Sequence, residues 1–161
     1  MSLAAPADSR AHRTPSGERG PNRPSTGARA GGPRALVVED AADSRELFAS
    51  ELERLGFVVS EAGTGEEALE QVLRFHPDVI VLDLMLPDLN GFSVARAVRS
   101  LELERNVAIL AVTALGSEPM RRMARDAGCD GLLTKPVVGA IVAEEAARMV
   151  HEGRSRGTGK V

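Results

Sequence analysis

The run Val79-Ile80-Val81-Leu82-Asp83 decides how the chain is read. Four consecutive apolar residues with no polar alternation are the mark of a strand covered on both faces, as in a parallel sheet. A carboxylate stands at the carboxyl end of that strand. Three similar runs end in polar residues too. Ala35-Leu36-Val37-Val38 is closed by Glu39 and Asp40, Val107-Ala108-Ile109-Leu110-Ala111-Val112 by Thr113, and Gly131-Leu132-Leu133-Thr134 by Lys135. Parallel strands all point one way, so these ends fall on one edge of the sheet. Ligands of open α/β sheets bind at that edge, near the point where strand order reverses. The expectation is a single crevice holding three carboxylates, a hydroxyl and an ammonium. That set suits a divalent cation and a transferring phosphoryl group.

Between these runs lie segments with helical periodicity. Asp43 with Glu46 reads as a capping box that opens a first helix, with Leu47, Phe48, Leu52 and Leu55 turned inward and Gly56 as its stop. Phe57-Val58-Val59 reads as a short second strand. Thr64 with Glu67 forms another capping box, for a helix that turns Ala68, Leu69, Val72 and Leu73 inward and stops before Pro77. Asn90-Gly91 is a turn into a third helix, with Phe92, Ala95 and Val98 on one face. Ser117 is placed to cap a fourth, in which Met120, Met123, Ala124 and Ala127 face inward and Gly128 is the stop. A last helix carries Ile141, Val142, Ala146, Met149 and Val150. Five strands alternating with five helices over residues 34–151 predict a doubly wound α/β domain.

The 161 residues leave room for one such domain and two appendages. Residues 1–33 are rich in Pro, Gly, Ser, Ala and Arg and carry almost no large apolar side chain, so a disordered basic tail is expected. Residues 152–161 read as a short basic C-terminal tail. With no Trp or Tyr, the core must be built from Val, Leu, Ile, Ala and Met. At a net charge of −3 no large basic field is present, so direct DNA binding and adhesion to an anionic membrane are not expected. The one cysteine, Cys129, permits no intrachain disulfide and reads as a small buried thiol in a reducing compartment. No apolar run approaches the roughly 20 residues that span a bilayer, and no secretory leader is visible. The expectation is a cytoplasmic protein.

Clustered carboxylates repel one another, and a hard cation relieves that repulsion. Mg²⁺ prefers oxygen ligands, keeps several waters and takes one or two carboxylates. Asp40 and Asp83 are the candidate direct ligands, with Glu39 acting through water. A carboxylate in line with a phosphoryl donor can also be a nucleophile. Lys135 and the Thr113 hydroxyl would then meet the phosphoryl oxygens. Other readings stand beside this one. Gly63-Thr64-Gly65-Glu66-Glu67-Ala68 imitates a dinucleotide fingerprint, although it follows the second strand and not the first. The same fold could act only as a protein-binding module, a degenerate form without phosphoryl transfer. An Asp-based hydrolase would need a second aspartate two residues after Asp83, where Met85 stands. His12, His76 and His151 are not expected to take part in catalysis.

Residues 34–151 resemble the receiver domain of bacterial two-component response regulators. The resemblance rests on Val-Val-Glu39-Asp40, Val-Leu-Asp83-Leu-Met-Leu-Pro87-Asp-Leu-Asn-Gly91, Ala-Val-Thr113-Ala114 and Leu-Thr-Lys135-Pro136. The spacings also agree, 113 − 83 = 30 and 135 − 83 = 52. It implies the flavodoxin-like strand order 2-1-3-4-5. Asp83 would accept phosphate from a phosphohistidine on a sensor histidine kinase or histidine phosphotransfer protein. Mg²⁺ would sit at Glu39, Asp40, Asp83 and the Met85 carbonyl, and Thr113 and Lys135 would assist. The Lys135-Pro136 bond would be cis. Such a domain is not an enzyme toward other molecules; it phosphorylates and dephosphorylates itself, and signals to a downstream protein by a conformational shift. Two residues depart from the pattern: Leu132 replaces an aromatic switch residue, and Val137 replaces a phenylalanine.

Overall fold

The computed structural model describes residues 31–157, so most of residues 1–33 and the last four residues lie outside the described chain. The elements run β1 (Arg34–Val38), α1 (Ala42–Arg54), β2 (Val58–Ala62), α2 (Gly65–Phe75), β3 (Val79–Leu82), α3 (Gly91–Ser100), β4 (Ala108–Thr113), α4 (Glu118–Ala127), β5 (Gly131–Thr134) and α5 (Gly139–Gly157). The five strands form one parallel sheet in the order β2-β1-β3-β4-β5, as expected.

Residues along a strand point alternately to opposite faces, so each apolar run serves two cores. Leu36, Val38, Ile80, Leu82, Ile109 and Ala111 pack with Ala68, Val72, Phe92, Val94, Ala95 and Ala124 from α2, α3 and α4. Ala35, Val37, Val79, Val81, Leu110 and Val112 pack with Phe48, Leu52, Val142, Ala146 and Met149 from α1 and α5. Burying a Val, Leu or Ile contributes about 1.5–3 kcal/mol. This double cover is what fixes the register, since a one-residue slip would exchange the two faces. The strand order reverses between β1 and β3, whose carboxyl ends therefore flank the crevice.

Several local expectations are corrected. α1 begins after Ala41, and Asp43 lies inside its first turn instead of capping it. The Glu39 carboxylate accepts the Ala41 N–H at 3.1 Å and takes over that end of the chain. β2 starts at Val58 and runs to Ala62, because Phe57 drops into the core under α1 instead of joining the ladder. Ser117 stands at the N-cap of α4 without a side-chain bond. Leu47, Leu55, Leu73 and Met123, all expected inside, are exposed at the margins of their helices, as is Ile141 of α5. α5 continues past His151 to Gly157, so the first part of the expected C-terminal tail is helical. Arg148 pairs with Glu145 and Glu152 along that helix, the i,i+3 and i,i+4 contacts that favour its continuation.

Other caps form as read. Thr64 accepts the Glu67 N–H at 3.2 Å, and Glu67 returns the bond one residue early, from Gly63 N–H at 2.8 Å. Asn90 caps α3 through the Ser93 N–H at 2.9 Å. Gly128 closes α4 with φ +102°, a conformation glycine adopts at little cost. Cys129 is buried just after it, and burial pushes its thiol up to about 11. No described helix is long and apolar enough to cross a membrane.

Candidate functional site

The sheet ladder extends one residue beyond β1, β3 and β5, and this extension holds Glu39, Asp83 and Lys135 of the site. Asp83 N–H donates to Val38 O at 2.9 Å, continuing β3 along β1. Glu39 N–H donates to Ala62 O at 3.1 Å, continuing β1 along β2. Lys135 N–H donates to Thr113 O at 2.9 Å, continuing β5 along β4. The reactive side chains thus leave backbone fixed by the sheet.

Glu39, Asp40 and Asp83 each offer a carboxylate oxygen, and these oxygens lie within 4.8 Å of one another. Glu39 and Asp83 are buried, whereas Asp40 is exposed. Lys135 Nζ sits 2.6 Å from Glu39 Oε2 and 2.9 Å from Asp83 Oδ2. Burial opposes the charge on Lys135, but the bonds to Glu39 and Asp83 outweigh it and hold its pKa above the ordinary lysine value. Burial pushes the Glu39 carboxyl up, against the opposing pull of Lys135 and the Ala41 amide. One ammonium thus serves two buried carboxylates, with the third open to solvent.

The other Asp83 oxygen, Oδ1, accepts the Met85 N–H at 2.9 Å, which folds the next two residues back over the acceptor strand. Gly91 comes so close behind them that a Cβ there would lie 2.5 Å from Asp83 O and 2.5 Å from Leu84 Cα. Thr113 ends β4 fully buried, and its hydroxyl accepts the Leu115 N–H at 3.3 Å. The Lys135-Pro136 bond is cis. All the residues singled out at strand ends are therefore at the carboxyl edge, and the four with charged side chains share one cluster.

The donor set fits a hard, partly hydrated cation: three carboxylates, mixed burial, and no sulfur or imidazole among them. Glu39, Asp40 and Asp83 would hold such an ion.

Three residues of this region were not singled out from sequence. Asp88 accepts the amides of Gly65 at 2.8 Å and Glu66 at 3.0 Å. Those bonds, that to Gly65 foremost, lower its pKa to about 2. The amides a dinucleotide phosphate would need at the start of α2 are thereby taken by a carboxylate of the chain itself, against the fingerprint reading of residues 63–68. Arg45 reaches back from α1 to the carbonyls of Glu39 and Asp40. Arg121, on α4, donates from Nε to Gly116 O and from Nη2 to Thr134 Oγ1, both at 3.2 Å. Only Asp88 carried a signal, as an acidic residue inside the Leu-Pro-Asp-Leu-Asn-Gly loop.

A parallel sheet of this order with an acidic trio and a lysine at its carboxyl edge defines a class, and the comparisons agree with it. The family model for the response regulator receiver domain matches residues 35–145, and the chain belongs to that family. It is 36% identical over 104 residues to the DNA-binding dual master transcriptional regulator RpaA of Synechocystis sp., covering 65% of this chain and 43% of that protein. It is 30% identical over 102 residues to the polar-differentiation response regulator DivK of Brucella ovis, covering 63% and 83%. The chain spans about two fifths of the transcriptional regulators it matches, 42% and 43% of two of them. Among solved structures, the chemotaxis response regulator CheY4 of Vibrio cholerae superposes with a TM-score of 0.68 at 27% identity, over 73% of this chain and 98% of that one. The receiver domain of a Francisella response regulator gives 0.69 at 27%, over 74% and 98%. Receiver domains are signalling domains of two-component systems that bind Mg²⁺ at an acidic pocket, and this chain carries such a pocket.

Proposed function

We propose that Asp83 is a phosphoryl acceptor, served by Mg²⁺, and that its occupancy is the signal the chain carries. The observation behind this is the Lys135 ammonium bridging Glu39 and Asp83 beside the exposed Asp40. In the transfer, an Asp83 carboxylate oxygen attacks phosphorus in line with the P–N bond of a phosphohistidine. That bond breaks, and its electron pair stays on the imidazole nitrogen, which picks up a proton. Lys135 follows the negative charge from the carboxylates to a phosphoryl oxygen, and the Thr113 hydroxyl donates to another. Glu39, Asp40, Asp83 and the Met85 carbonyl would hold the metal, which supplies positive charge at the phosphoryl oxygens. Loss of the phosphoryl group to water reverses the state.

The donor in this reading is a sensor histidine kinase or a histidine phosphotransfer protein, and the recipient of the signal is another protein. The setting is the cytoplasm. Residues 1–33 and the residues after α5 take no part in the chemistry in this reading.

The test is phosphorylation by a small acyl-phosphate donor with Mg²⁺, followed by intact mass. The parent chain is expected to gain one phosphoryl group and Asp83→Asn none. Equal modification of the Asp83→Asn variant would place the acceptor elsewhere.

A further inference from the structure

Arg45 lies on α1, six residues beyond Glu39, and it is the one guanidinium among the described residues bonded to the backbone of the acidic pair. Its Nη1 donates to Glu39 O at 2.7 Å and approaches Asp40 O at 3.4 Å. Its Nε lies 3.6 Å from Glu61 Oε2 on β2, and its side chain is largely covered. Gly63 lies beside the head group: a Cβ there would be 3.4 Å from Arg45 Nη1, an ordinary contact.

The loop from Glu39 to Ala41 has few other restraints. Glu39 N–H is held by Ala62 O, and Ala41 N–H by the Glu39 carboxylate itself. Arg45 holds the Glu39 carbonyl and approaches that of Asp40, and among the described residues no other side chain bonds either one. We propose that Arg45 is a positioning residue: by gripping these two carbonyls it orients the Glu39 and Asp40 carboxylates toward Asp83 and raises the affinity of the trio for a divalent cation. The inference rests on the metal reading of that trio.

Two physical effects of Arg45 oppose each other, which makes the sign informative. As a nearby positive charge it repels a cation. As a clamp it arranges the ligands in advance, and residues that orient metal ligands typically change affinity about 10- to 100-fold. The clamp wins in this proposal. Repulsion between partly exposed charges is screened by salt, while the orienting effect is not.

The experiment is Mg²⁺ titration by calorimetry on the full chain, with apo melting temperature recorded for each variant, at low and high salt. Arg45→Ala is expected to weaken Mg²⁺ binding about tenfold at both salt concentrations. Arg45→Lys, which keeps a donor and the charge, is expected to recover part of the loss. Glu61→Gln, which removes the charge that Nε faces but leaves the carbonyl bonds, is expected to bind as the parent does. Unchanged or tighter binding in Arg45→Ala, with the parent binding normally, overturns the proposal. Should Arg45→Ala melt before the titration can be made, full parent-like affinity in Arg45→Gln overturns it equally. A parent chain that binds no Mg²⁺ overturns the metal reading itself, and is distinguishable from either result.

Discussion

Lys135 and Asp83, 52 residues apart in the chain, are joined by a 2.9 Å ion pair at the mouth of the sheet. The same ammonium also holds Glu39, so it acts as a resident cation for two buried carboxylates. Lys135→Ala leaves both without a partner. Breaking a fully buried pair costs about 3–5 kcal/mol, and with partial exposure about 1–3 kcal/mol is expected here. Urea denaturation without metal reads that loss. Adding Mg²⁺ should shrink the deficit, because the metal supplies the missing positive charge. A deficit unchanged by saturating Mg²⁺ would show that lysine and metal do not share these carboxylates.

Asp40 and Glu39 are expected to contribute unequally to metal binding. The Glu39 carboxylate is already bonded to Ala41 N–H and Lys135 Nζ, whereas Asp40 is exposed and uncommitted to either. A charge-assisted contact contributes about 1.5–3 kcal/mol, about ten- to a hundredfold in affinity. Asp40→Ala should therefore raise the Mg²⁺ dissociation constant by at least tenfold, on the order of the lower end of that range, and Glu39→Ala by less. Equal affinity in Asp40→Ala and the parent is the result that contradicts this.

The Asp88 carboxyl has a folded pKa of about 2, below its ordinary 3.8, because it accepts the Gly65 and Glu66 amides. A depressed carboxyl stabilises the fold fully above its unfolded pKa and loses that contribution as pH falls through the folded one. The melting temperature of Asp88→Asn should thus lie below that of the parent at neutral pH. The gap should begin to close below about pH 4 and vanish only below about pH 2, once the folded carboxyl is itself protonated. A gap constant across that window would mean that the loss in Asp88→Asn comes from side-chain geometry and not from charge.

Leu132 stands in β5, half-buried against the α2–α4 side of the core, with no ring to swing. Nearby, Arg121 ties Gly116 to Thr134 across the loop that follows Thr113. A ligand shifts a two-state equilibrium only by its differential affinity, and about 5.5 kcal/mol moves it from 1:99 to 99:1. A fluoride-based phosphoryl mimic is therefore expected to perturb residues 113–116 and Arg121 most in backbone chemical shifts. Large changes centred on Leu132 that vanish in Leu132→Ala yet survive in Thr113→Ala would refute this.

The strands and the edge were legible because a buried parallel strand has no polar alternation, so the first charged residue, or in β4 the threonine, marks its end. That rule found Glu39, Asp83, Thr113 and Lys135 without any contact being known. It failed at β2, where Phe57 was apolar for the sake of the core and not of the ladder. Helix faces were legible at their centres, at Phe48, Val72 and Val98, and misread at their margins, where Leu47 and Leu73 cover the rim. Arg45, Asp88 and Arg121 escaped because the contacts that place them at the site include backbone atoms. A carbonyl or amide is present at every position and leaves no trace in composition.

Cys129, the only cysteine, makes the α4–β5 corner accessible to a clock. Its thiol is buried, and burial pushes its pKa up to about 11, so little reactive thiolate is present at neutral pH while the corner is closed. A thiol-reactive probe must wait for that corner to open. Its labelling rate consequently measures local opening beside Leu132 and Arg121, residue-resolved and without any engineered label, and comparing rates with and without a phosphoryl mimic times how the signal loosens or tightens that side of the sheet.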